Sequence, residues 1–555
     1  MIRRSLAALG LVFSLAPLHA QLFDWVAPIA GGGVAKAVAV DADGNVYSCG
    51  NANGQVDFDP GPGEAIPPTS DLNGNIYVVK YDNAGHYLWH YCVGASNTDI
   101  AKNIAVDGNG DVLASGYFHG GFDWDPGPNV VQPIGTYDCF VLKLSAAGDF
   151  LWLQTIGGPG EDQDRGLAVD AANNVYVTGS CSEDISFNNG ATTLVNDGGL
   201  DAFYAKYGSD GTFRWAKRIG GAGFQVGSSV ACAGDRLYLY GTCTGTTTVN
   251  GTHAITVPDA VGTAYLCKTD TAGNVLWLKS QSSQGGVSGE VVRATDANIY
   301  VFAGFRGTVD ADPGAGVLEL VPPTSNPQTL FAKLDSSGNA VWAQQLQGNI
   351  HFDCVGDIAL DAQGGVVVTC AIALTQDYDA GPGEAIYTPL QPNDLFTARY
   401  DADGNFHWVR MVTTGGTFDT ASGAAVDNYG NVYMTGSFGD SAVFDPGPIG
   451  TIYTPQSSTA FTVKYGVDLT TGTSEHTAPP ALQLWPNPAH STLTVAGAFE
   501  RGDVLLVLDA AGRRVARIAA QDHVMPLSVQ DLPPGTYTLV WLGAKGGASE
   551  RFVVI

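Results

Sequence analysis

The sequence predicts an all-β protein: a seven-bladed β-propeller that is closed by an N-terminal strand and followed by a small Ig-like β-sandwich. Three observations support this prediction. A tryptophan recurs at intervals of 62 to 66 residues, two further motifs recur with the same period, and the last repeat lacks a part that the N-terminus could supply. The composition agrees, because 72 glycines and only 14% charged residues are typical of a turn-rich β-protein.

The recurring tryptophan marks one strand of each repeat. The series consists of Trp25, Trp89, Trp152, Trp215, Trp277, Trp342 and Trp408. In six repeats it ends a motif such as FVLKLSAAGDFLW (140–152), in which two strands flank a turn. The other motif, for example AVDAANNVYVTG (168–179), supplies two more strands. A four-stranded unit of this kind cannot bury both faces alone, and radial repetition of such units is the propeller solution.

The seventh repeat is incomplete. Its third strand, FTVKYG (461–466), stops before a tryptophan, whereas LFDWVAPI (22–29) contains Trp25 but has no strand before it. If residues 22–29 supply the outer strand to the blade that begins near residue 424, the ring closes. The sequence therefore predicts a propeller over residues 21–466 with seven blades.

The repeats resemble the bacterial β-propeller repeat family (SBBP-like), whose pattern also runs FVAKLD, GN, W, AVD and GNVYVTG in order. The resemblance covers residues 22–466. It implies the propeller fold, and it implies no activity, because that family has no common assigned chemistry.

The C-terminal part of the chain has a different pattern. Residues 467–480 are rich in Thr, Ser and Pro and are typical of a linker. Residues 481–555 then alternate apolar and polar positions, which favours a small β-sandwich. Pro486-Asn487-Pro488, the DAAGRRV hairpin (509–515) and LPPGTY (532–537) follow in that order.

These C-terminal motifs resemble the sorting domain of the type IX secretion system of Bacteroidota. The resemblance implies that residues 481–555 interact with the type IX secretion and sorting machinery. It also implies that the protein passes through the periplasm and is secreted or held at the cell surface.

The N-terminus is typical of a signal peptide over residues 1–20. Arg3 and Arg4 precede a short apolar run, and the small residue Ala20 lies at a suitable cleavage position. The apolar run is too short to span a bilayer, and no later run approaches 18 apolar residues, so we expect no transmembrane segment.

The charge and the cysteines limit the function classes. The net charge is −28, and residues 481–555 carry six basic and six acidic side chains, so the excess negative charge lies before them. This charge argues against nucleic acid and anionic membranes as partners and favours cations or basic partners. The nine cysteines form no CxxC motif, their disulfide pairing stays open, and buried thiols within strands are the interpretation we favour.

An acidic turn follows the second strand in five of the repeats, as in VDFDPGPGE (56–64). Its carboxylates could hold a hard cation such as calcium, which prefers several oxygen ligands. The candidate ligands are Asp57, Asp59, Asp123, Asp125, Asp310, Asp312, Asp377, Asp379 and Asp445. The same residues also suit an Asp-Pro-Gly turn in which the carboxylate accepts backbone N–H groups, and this is the interpretation we favour.

Two other polar residues recur. An aspartate ends the AVD motif in five repeats: Asp41, Asp107, Asp170, Asp361 and Asp427. If the AVD strand is innermost, a ring of these carboxylates near one rim of the channel could bind a cation or a basic ligand. The interpretation we favour is that each caps the following turn. A cation recurs in all seven, and we expect its stem to pack on an aromatic ring or its charge to pair with an acid of a neighbouring blade: Lys80, Lys143, Lys206, Lys268, Lys333, Arg399 and Lys464. We expect the tryptophans to pack between sheets.

No catalytic motif is recognisable: GxSxG, HExxH, the Walker A motif and a helix-opening GxGxxG are all absent from the sequence. No catalytic or cofactor-binding residue is therefore assigned. The leading hypothesis is an exported scaffold for binding, adhesion or cell-surface interaction, with a glycan or a protein as its extracellular ligand. The alternative is a secreted hydrolase or lyase acting on a polysaccharide or peptide at one propeller face. A unique acid–base pair in the funnel would favour that alternative.

Overall fold

The structure is a computed structural model, and it divides into two compact units. The larger unit comprises residues 20–444 and 452–467, and the smaller one includes residues 468–555. The described residues are 21–67, 74–94, 99–125, 130–258, 261–346, 356–379, 383–389, 393–416, 419–444, 452–454, 458–467, 483–486, 488–496, 504–508, 514–520, 524–530, 532–543 and 546–555. The predicted signal peptide, the linker after Val467, the candidate ligand Asp445, Asn487 and most of the 509–515 hairpin lie outside these ranges.

Six blades of the larger unit are antiparallel four-stranded sheets built from consecutive strands. From the inner to the outer strand they are Gly33–Val40, Val46–Ala52, Asn75–Tyr81 and Tyr87–Val93 in blade 1; Ile100–Val106, Val112–Phe118, Asp138–Leu144 and Phe150–Ile156 in blade 2; and Asp162–Val169, Val175–Cys181, Asp201–Tyr207 and Phe213–Gly220 in blade 3. They continue as Gln225–Ala233, Arg236–Cys243, Thr263–Asp270 and Val275–Gln281 in blade 4; Val287–Ala294, Asn298–Phe305, Gln328–Asp335 and Ala340–Leu346 in blade 5; and Asp357–Leu360, Val366–Ile372, Asp394–Tyr400 and Phe406–Thr414 in blade 6.

Blade 7 joins the two ends of the propeller. Its first three strands are Thr420–Val426, Val432–Phe438 and Thr459–Val467, and its outer strand is Gln21–Ile29. The outer strand runs antiparallel to the third, in a register from Gln21 opposite Val467 to Ile29 opposite Ala460. Each inner strand contacts the inner strand of the next blade, and that of blade 7 contacts that of blade 1. The predicted seven-bladed propeller is thereby confirmed.

The burial of the strands follows from this packing. The second strand of a blade, such as Val46–Ala52, is buried along its whole length because neighbouring sheets cover both of its faces. The outer strand, such as Phe150–Ile156, is only partly buried. One hydrophobic cluster combines Tyr47 and Val78 of blade 1 with Phe140 of blade 2, so the core lies between blades rather than within them.

Short two-stranded ribbons link the second and third strands of six blades. They are Phe122–Asp123 with Val130–Val131, Ile185–Phe187 with Thr192–Leu194, Thr246–Val249 with His253–Thr256, Val309–Asp310 with Glu319–Leu320, Gln376–Asp377 with Ile386–Tyr387, and Ala442–Val443 with Ile452–Tyr453. Two ribbons also pair with the outer strand of the preceding blade, through Ile219 opposite Val249 and Thr413 opposite Val443. The ribbons therefore add backbone hydrogen bonds between blades.

A repeated clasp joins six of the seven blades to the next one. Lys80 Nζ and Trp89 Nε1 of blade 1 both donate to the carbonyl oxygen of Ala146, in the hairpin between the third and outer strands of blade 2, over 3.2 Å each. Gly148 follows in that turn with a φ of +90°, and a Cβ there would lie 2.8 Å from the Trp89 ring. The turn needs glycine both for its left-handed conformation and for the space that the indole occupies.

The clasp recurs around the propeller. In three further blades a lysine and a tryptophan donate to one carbonyl oxygen of the next blade. Lys143 and Trp152 donate to Ser209, Lys333 and Trp342 donate to Ala402, and Lys464 and Trp25 donate to Asn83. Lys206 and Lys268 likewise donate to Thr271 and Ser336 of the following blade. The tryptophans thus pack between sheets as expected.

The partner of the repeated cation differs in part from the expectation. Its Nζ lies over a tyrosine ring in several blades, for example 4.9 Å from the centroid of Tyr47 for Lys80. Where an acid is paired, however, it belongs to the same blade, as with Lys143 and Asp107 at 2.8 Å. The neighbouring blade contributes a backbone carbonyl instead, because its turn, rather than a side chain, reaches the cation.

The smaller unit consists of two sheets with a common core. One contains Gln483–Trp485, Thr492–Ala496 and Val524–Ser528, and the other contains Arg514–Ala519, Val504–Leu508, Gly535–Gly543 and Gly546–Val554. Leu493 of the first sheet and Leu505, Leu539 and Phe552 of the second belong to one buried cluster. Across the residues that the structure describes, no helix is long and apolar enough to cross a membrane.

Candidate functional site

The acidic turns fold around their first carboxylate. Asp310 Oδ1 accepts the backbone N–H of Asp312 at 3.0 Å and that of Leu318 at 2.9 Å. The equivalent oxygens of Asp57 and Asp377 accept two backbone N–H groups in the same way, from Asp59 and Ala65 and from Asp379 and Ala385. These carboxylates close the loop by satisfying backbone donors, which is the role of an Asx turn.

The second carboxylate of the turn also binds backbone. Asp59 Oδ1 and Asp312 Oδ1 each accept the N–H of a following glycine, at 2.7 Å. In blade 2, Asp123 Oδ1 accepts the N–H of Asp125 at 3.2 Å. Within the described ranges, no three His, Cys, Asp or Glu side chains lie close enough together to hold a metal ion. Calcium binding at these turns stays a prediction.

The AVD aspartates cap the turns that follow them. Asp107 Oδ1 accepts the N–H groups of Asn109 and Asp111, and its Oδ2 accepts Lys143 Nζ at 2.8 Å. Asp361 has the same arrangement, with Arg399 as its cation at 2.6 Å. None of the five aspartates is among the described residues that line the central channel. They therefore form no carboxylate ring there.

The central channel is a cavity of about 1250 Å³ lined by the inner strands of all seven blades. Six of these strands carry a β-bulge at a repeat-equivalent place, where one extra residue interrupts the register with the second strand. A bulge leaves its extra residue without a cross-strand partner and redirects its side chain. The bulge residues are Lys36, Lys102, Arg165, Ser228, Glu290 and Ser422, and Gly356 takes the equivalent place in blade 6; all seven line the channel.

Three consecutive blades present cations at this level. Lys36, Lys102 and Arg165 belong to blades 1, 2 and 3, and we call them the cation arc. Lys102 Nζ lies 5.1 Å from the centroid of the Tyr117 ring, which also lines the channel. Burial and the positive charges of Arg165 and Lys36 lower the pKa of Lys102 to about 8. The three cations are therefore close enough to repel one another.

A buried acid, Asp164, lies behind the arc. Asp164, next to the bulge in blade 3, accepts Ser115 Oγ at 2.6 Å and Asn103 Nδ2 at 2.8 Å. Burial raises the pKa of Asp164 to about 8, although these two hydrogen bonds oppose the shift. Burial thus favours the neutral form of this carboxyl.

The opposite side of the channel is acidic. Glu290 of blade 5 accepts a hydrogen bond from Ser288 Oγ, and burial raises the pKa of its carboxyl. Arg293 of the same strand pairs with Asp357 of blade 6 at 2.7 Å. The channel is thus asymmetric in charge, although its side chains come from repeat-equivalent strands.

The sequence alone did not reveal the cation arc. The negative net charge favoured cationic ligands, whereas the channel presents three cations of its own. A signal existed: Lys36, Lys102 and Arg165 each lie five residues before an AVD aspartate. Without the bulge, that spacing does not show which side of the strand each cation occupies.

The family comparisons assign two parts of the chain. Residues 151–185 match the family described as Beta-propeller repeat (SBBP). Residues 483–555 match the Secretion system C-terminal sorting domain, which is the type IX secretion signal typical of Bacteroidota. This domain indicates secretion to the cell surface or the extracellular space.

Two curated relatives match in sequence. An uncharacterized WD repeat-containing protein of Acanthamoeba polyphaga mimivirus is 24% identical over 507 residues, which cover 73% of this chain and 35% of that protein. The regulatory protein FlaEY of Caulobacter vibrioides is 31% identical over 179 residues, covering 31% of this chain and 17% of that protein. The chain thus spans about a third or less of the length of these relatives.

Solved structures share only general features with the chain. A quinohemoprotein alcohol dehydrogenase from Comamonas testosteroni has a TM-score of 0.35 at 11% identity, covering 85% of this chain and 79% of that one. A polysaccharide lyase described as an ulvan lyase has a TM-score of 0.36 at 12% identity, covering 71% and 96%. These likenesses do not bear on function.

Proposed function

We propose that this chain, which carries a β-propeller repeat and a type IX sorting domain, is an exported binding protein that receives an extracellular ligand in its central channel. One observation carries the proposal. Among the repeat-equivalent positions of the molecule, those of the framework are nearly uniform, with six lysines and one arginine in the clasp series. Those of the channel carry a lysine, a lysine, an arginine, a serine, a glutamate, a glycine and a serine.

This contrast points to the channel as the place where the repeats were adapted. In six blades the clasp residue does the same structural task, donation to a backbone carbonyl of the next blade, and in all six it is a lysine. A residue that only closed the channel would also have one task, and uniform apolar side chains would serve it. Different side chains at one level instead create a surface that can orient an asymmetric ligand. The clasps between blades keep that surface rigid, which lowers the entropic cost of binding.

A channel-blocking variant tests the proposal. Ser228 is only partly buried and lines the channel in blade 4, so Ser228→Trp fills space inside it. Thr256→Trp is the matched control, because Thr256 is exposed on the outer ribbon of the same blade. We expect glycan and peptide arrays to detect a ligand for the wild type and for Thr256→Trp, and to show loss of binding for Ser228→Trp. Equal binding by both variants would place the ligand site elsewhere and contradict the proposal.

A second candidate is the hydrolase or lyase activity on a polysaccharide or peptide. The observation that favours it is the pair of unlike titratable groups in one cavity: Lys102 with its lowered pKa and Glu290 with its raised pKa. Groups whose pKa values are shifted towards pH 7 are suited to proton transfer at that pH. Incubation of the array ligand with the protein, followed by mass spectrometry, tests it. Turnover that Glu290→Gln abolishes while binding persists would support an enzyme; an unchanged ligand would support binding alone.

A further inference from the structure

We propose that the cation arc of Lys36, Lys102 and Arg165 binds an oxyanionic group, a carboxylate, sulfate or phosphate, of the ligand that enters the channel. The inference rests on the proposed function and deepens it, because it names the chemistry that the channel recognises.

The first step of the argument is position. The three cations occupy the same bulge position in blades 1, 2 and 3, whose inner strands contact one another in sequence. All three line one cavity and are only partly buried, so they face its interior rather than the core. Arg165 and Lys36 both act electrostatically on Lys102, so the three cations would act together on an anion in the channel.

The second step is the charge around Lys102 and Arg165 among the described residues. Arg293 also lines the channel, and its guanidinium is paired with Asp357 at 2.7 Å. Glu290 of blade 5 interacts electrostatically with Arg165, and burial raises the pKa of its carboxyl; burial also raises the pKa of Asp164, to about 8. Arg165 donates to Gln163 Oε1 at 2.9 Å, and its Nε is buried without a partner among the described residues.

The third step concerns the size of the ligand. The chain has a net charge of −28, so its field repels an extended polyanion before that polyanion reaches the channel. A small acid, or a neutral chain that ends in one acidic group, meets less repulsion and fits a cavity of about 1250 Å³. Tyr117, whose ring lies under Lys102, offers an apolar face beside the anion. The arc therefore suits one oxyanionic group on a compact ligand.

Titration calorimetry of the full chain at pH 7 and constant ionic strength tests the inference. The probes are inorganic sulfate, inorganic phosphate and glucuronate, against sodium chloride as the reference. We expect at least one probe to bind, and we expect Lys102→Gln and Arg165→Gln each to weaken binding by roughly tenfold or more. Arg214→Gln is the matched control, because Arg214 is exposed on the outer strand of the same blade as Arg165. The preferred probe distinguishes an inorganic ion from a sugar acid.

A second measurement reports the arc directly. NMR of isotope-labelled lysine should show the pKa of Lys102 rising from about 8 when the anion binds, because the anion offsets the repulsion from Lys36 and Arg165. The other groups that face Lys102 are Asp164, Cys139 and Tyr117. Lys102→Arg keeps the charge and should keep the binding, which separates loss of charge from loss of fold.

The outcomes separate this inference from the proposed function. Absence of binding by all three probes beyond the chloride reference would overturn the inference, and so would equal weakening by Arg214→Gln. A third outcome is that Ser228→Trp abolishes binding of an array ligand while Lys102→Gln leaves that binding unchanged. In that case the proposed anion site is wrong and the proposed binding function stands.

Discussion

Lys464, on the third strand of the last blade, donates a hydrogen bond of 3.0 Å to the carbonyl oxygen of Asn83 in the first blade. Trp25, from the N-terminal strand, donates to the same oxygen over 3.0 Å. The clasp that joins successive blades thus also joins the last blade to the first. Its two donors come from opposite ends of the propeller sequence.

Replacement of Trp25 should weaken the ring. Trp25→Ala removes a large side chain that packs on Tyr81 and Tyr433 as well as the hydrogen bond to Asn83, and we expect a loss of about 3 kcal/mol in unfolding free energy. Trp25→Phe keeps a ring and should lose about 1 kcal/mol. Leu88→Ala, at a side chain that is 47% exposed, is the control and should change little. Chemical denaturation measures all three; equal losses for Trp25→Ala and Leu88→Ala would exclude a role in closure.

Alanine variants of two glycines with the same φ can distinguish the cost of backbone strain from the cost of a steric clash. Gly404 and Gly190 both have a φ of +84°, but a Cβ at Gly404 would lie 2.9 Å from the Trp342 ring, whereas one at Gly190 would meet nothing within 4 Å. Gly190→Ala should cost about 1 kcal/mol through conformation alone. Gly404→Ala should cost about 1–3 kcal/mol more, because the indole must move. Thermal melting compares them, and equal midpoints would mean that Trp342 adapts without loss.

The acidic turns can be tested for calcium with one pair of variants. Asp310→Asn keeps the side-chain oxygen that accepts the N–H groups of Asp312 and Leu318, so it should be close to neutral for stability. Asp310→Ala leaves both donors without that acceptor and should cost about 1–3 kcal/mol. If the turn role alone operates, EGTA leaves the melting midpoint of the wild type unchanged. A calcium role requires that EGTA and Asp310→Asn both lower it.

Asp164 should make stability depend on pH. Its folded-state pKa, about 8, lies above the ordinary value of 3.8, so the folded protein retains a proton that the unfolded chain releases. Its contribution is fully favourable below pH 3.8 and is lost as the pH rises towards 8. Asp164→Asn mimics the neutral acid, so the melting midpoint of the variant relative to the wild type should rise between pH 5 and pH 8. A constant difference would show that Asp164 is ionised in the folded protein across this range.

The fold could be predicted because its determinants are periodic in the sequence. Trp89 and Trp152 are 63 residues apart, and each packs on the turn of the next blade, so their spacing reports the blade length directly. The incomplete last repeat predicted that residues 22–29 complete the seventh blade. In the structure Ala27 lies opposite Thr462, on the third strand of that blade.

The cation arc could not be predicted in the same way. Lys102 is one cation among others in a strand, and only the interruption of register between Ala101 and Asn103 turns it to the channel. A bulge depends on pairing with the second strand, and a single sequence shows no pairing. The acceptor of the clasp, the carbonyl oxygen of Ala146, could not be predicted either. Every residue has a backbone carbonyl, so the sequence does not mark the one that accepts these hydrogen bonds.

The exception in blade 6 shows why one repeat departs from the pattern. There the third and outer strands of the next blade come from opposite ends of the propeller, so no hairpin connects them. Arg399 binds Asp361 of its own blade, and Trp408 Nε1 has no partner within the described part of the chain. The one arginine in the cation series therefore stands where the acceptor turn is missing.

The pairing of Gln21–Ile29 with Thr459–Val467 also bears on the order of folding. The N-terminal strand pairs with a strand more than 400 residues later in the chain, so it must wait until that segment is available. Six blades can form from neighbouring strands in that interval, while the waiting strand keeps an unsatisfied edge that could pair with another chain. Completion of the ring is therefore the last step of folding, and molecules that stall before residue 467 are the ones we expect chaperones to hold and proteases to remove.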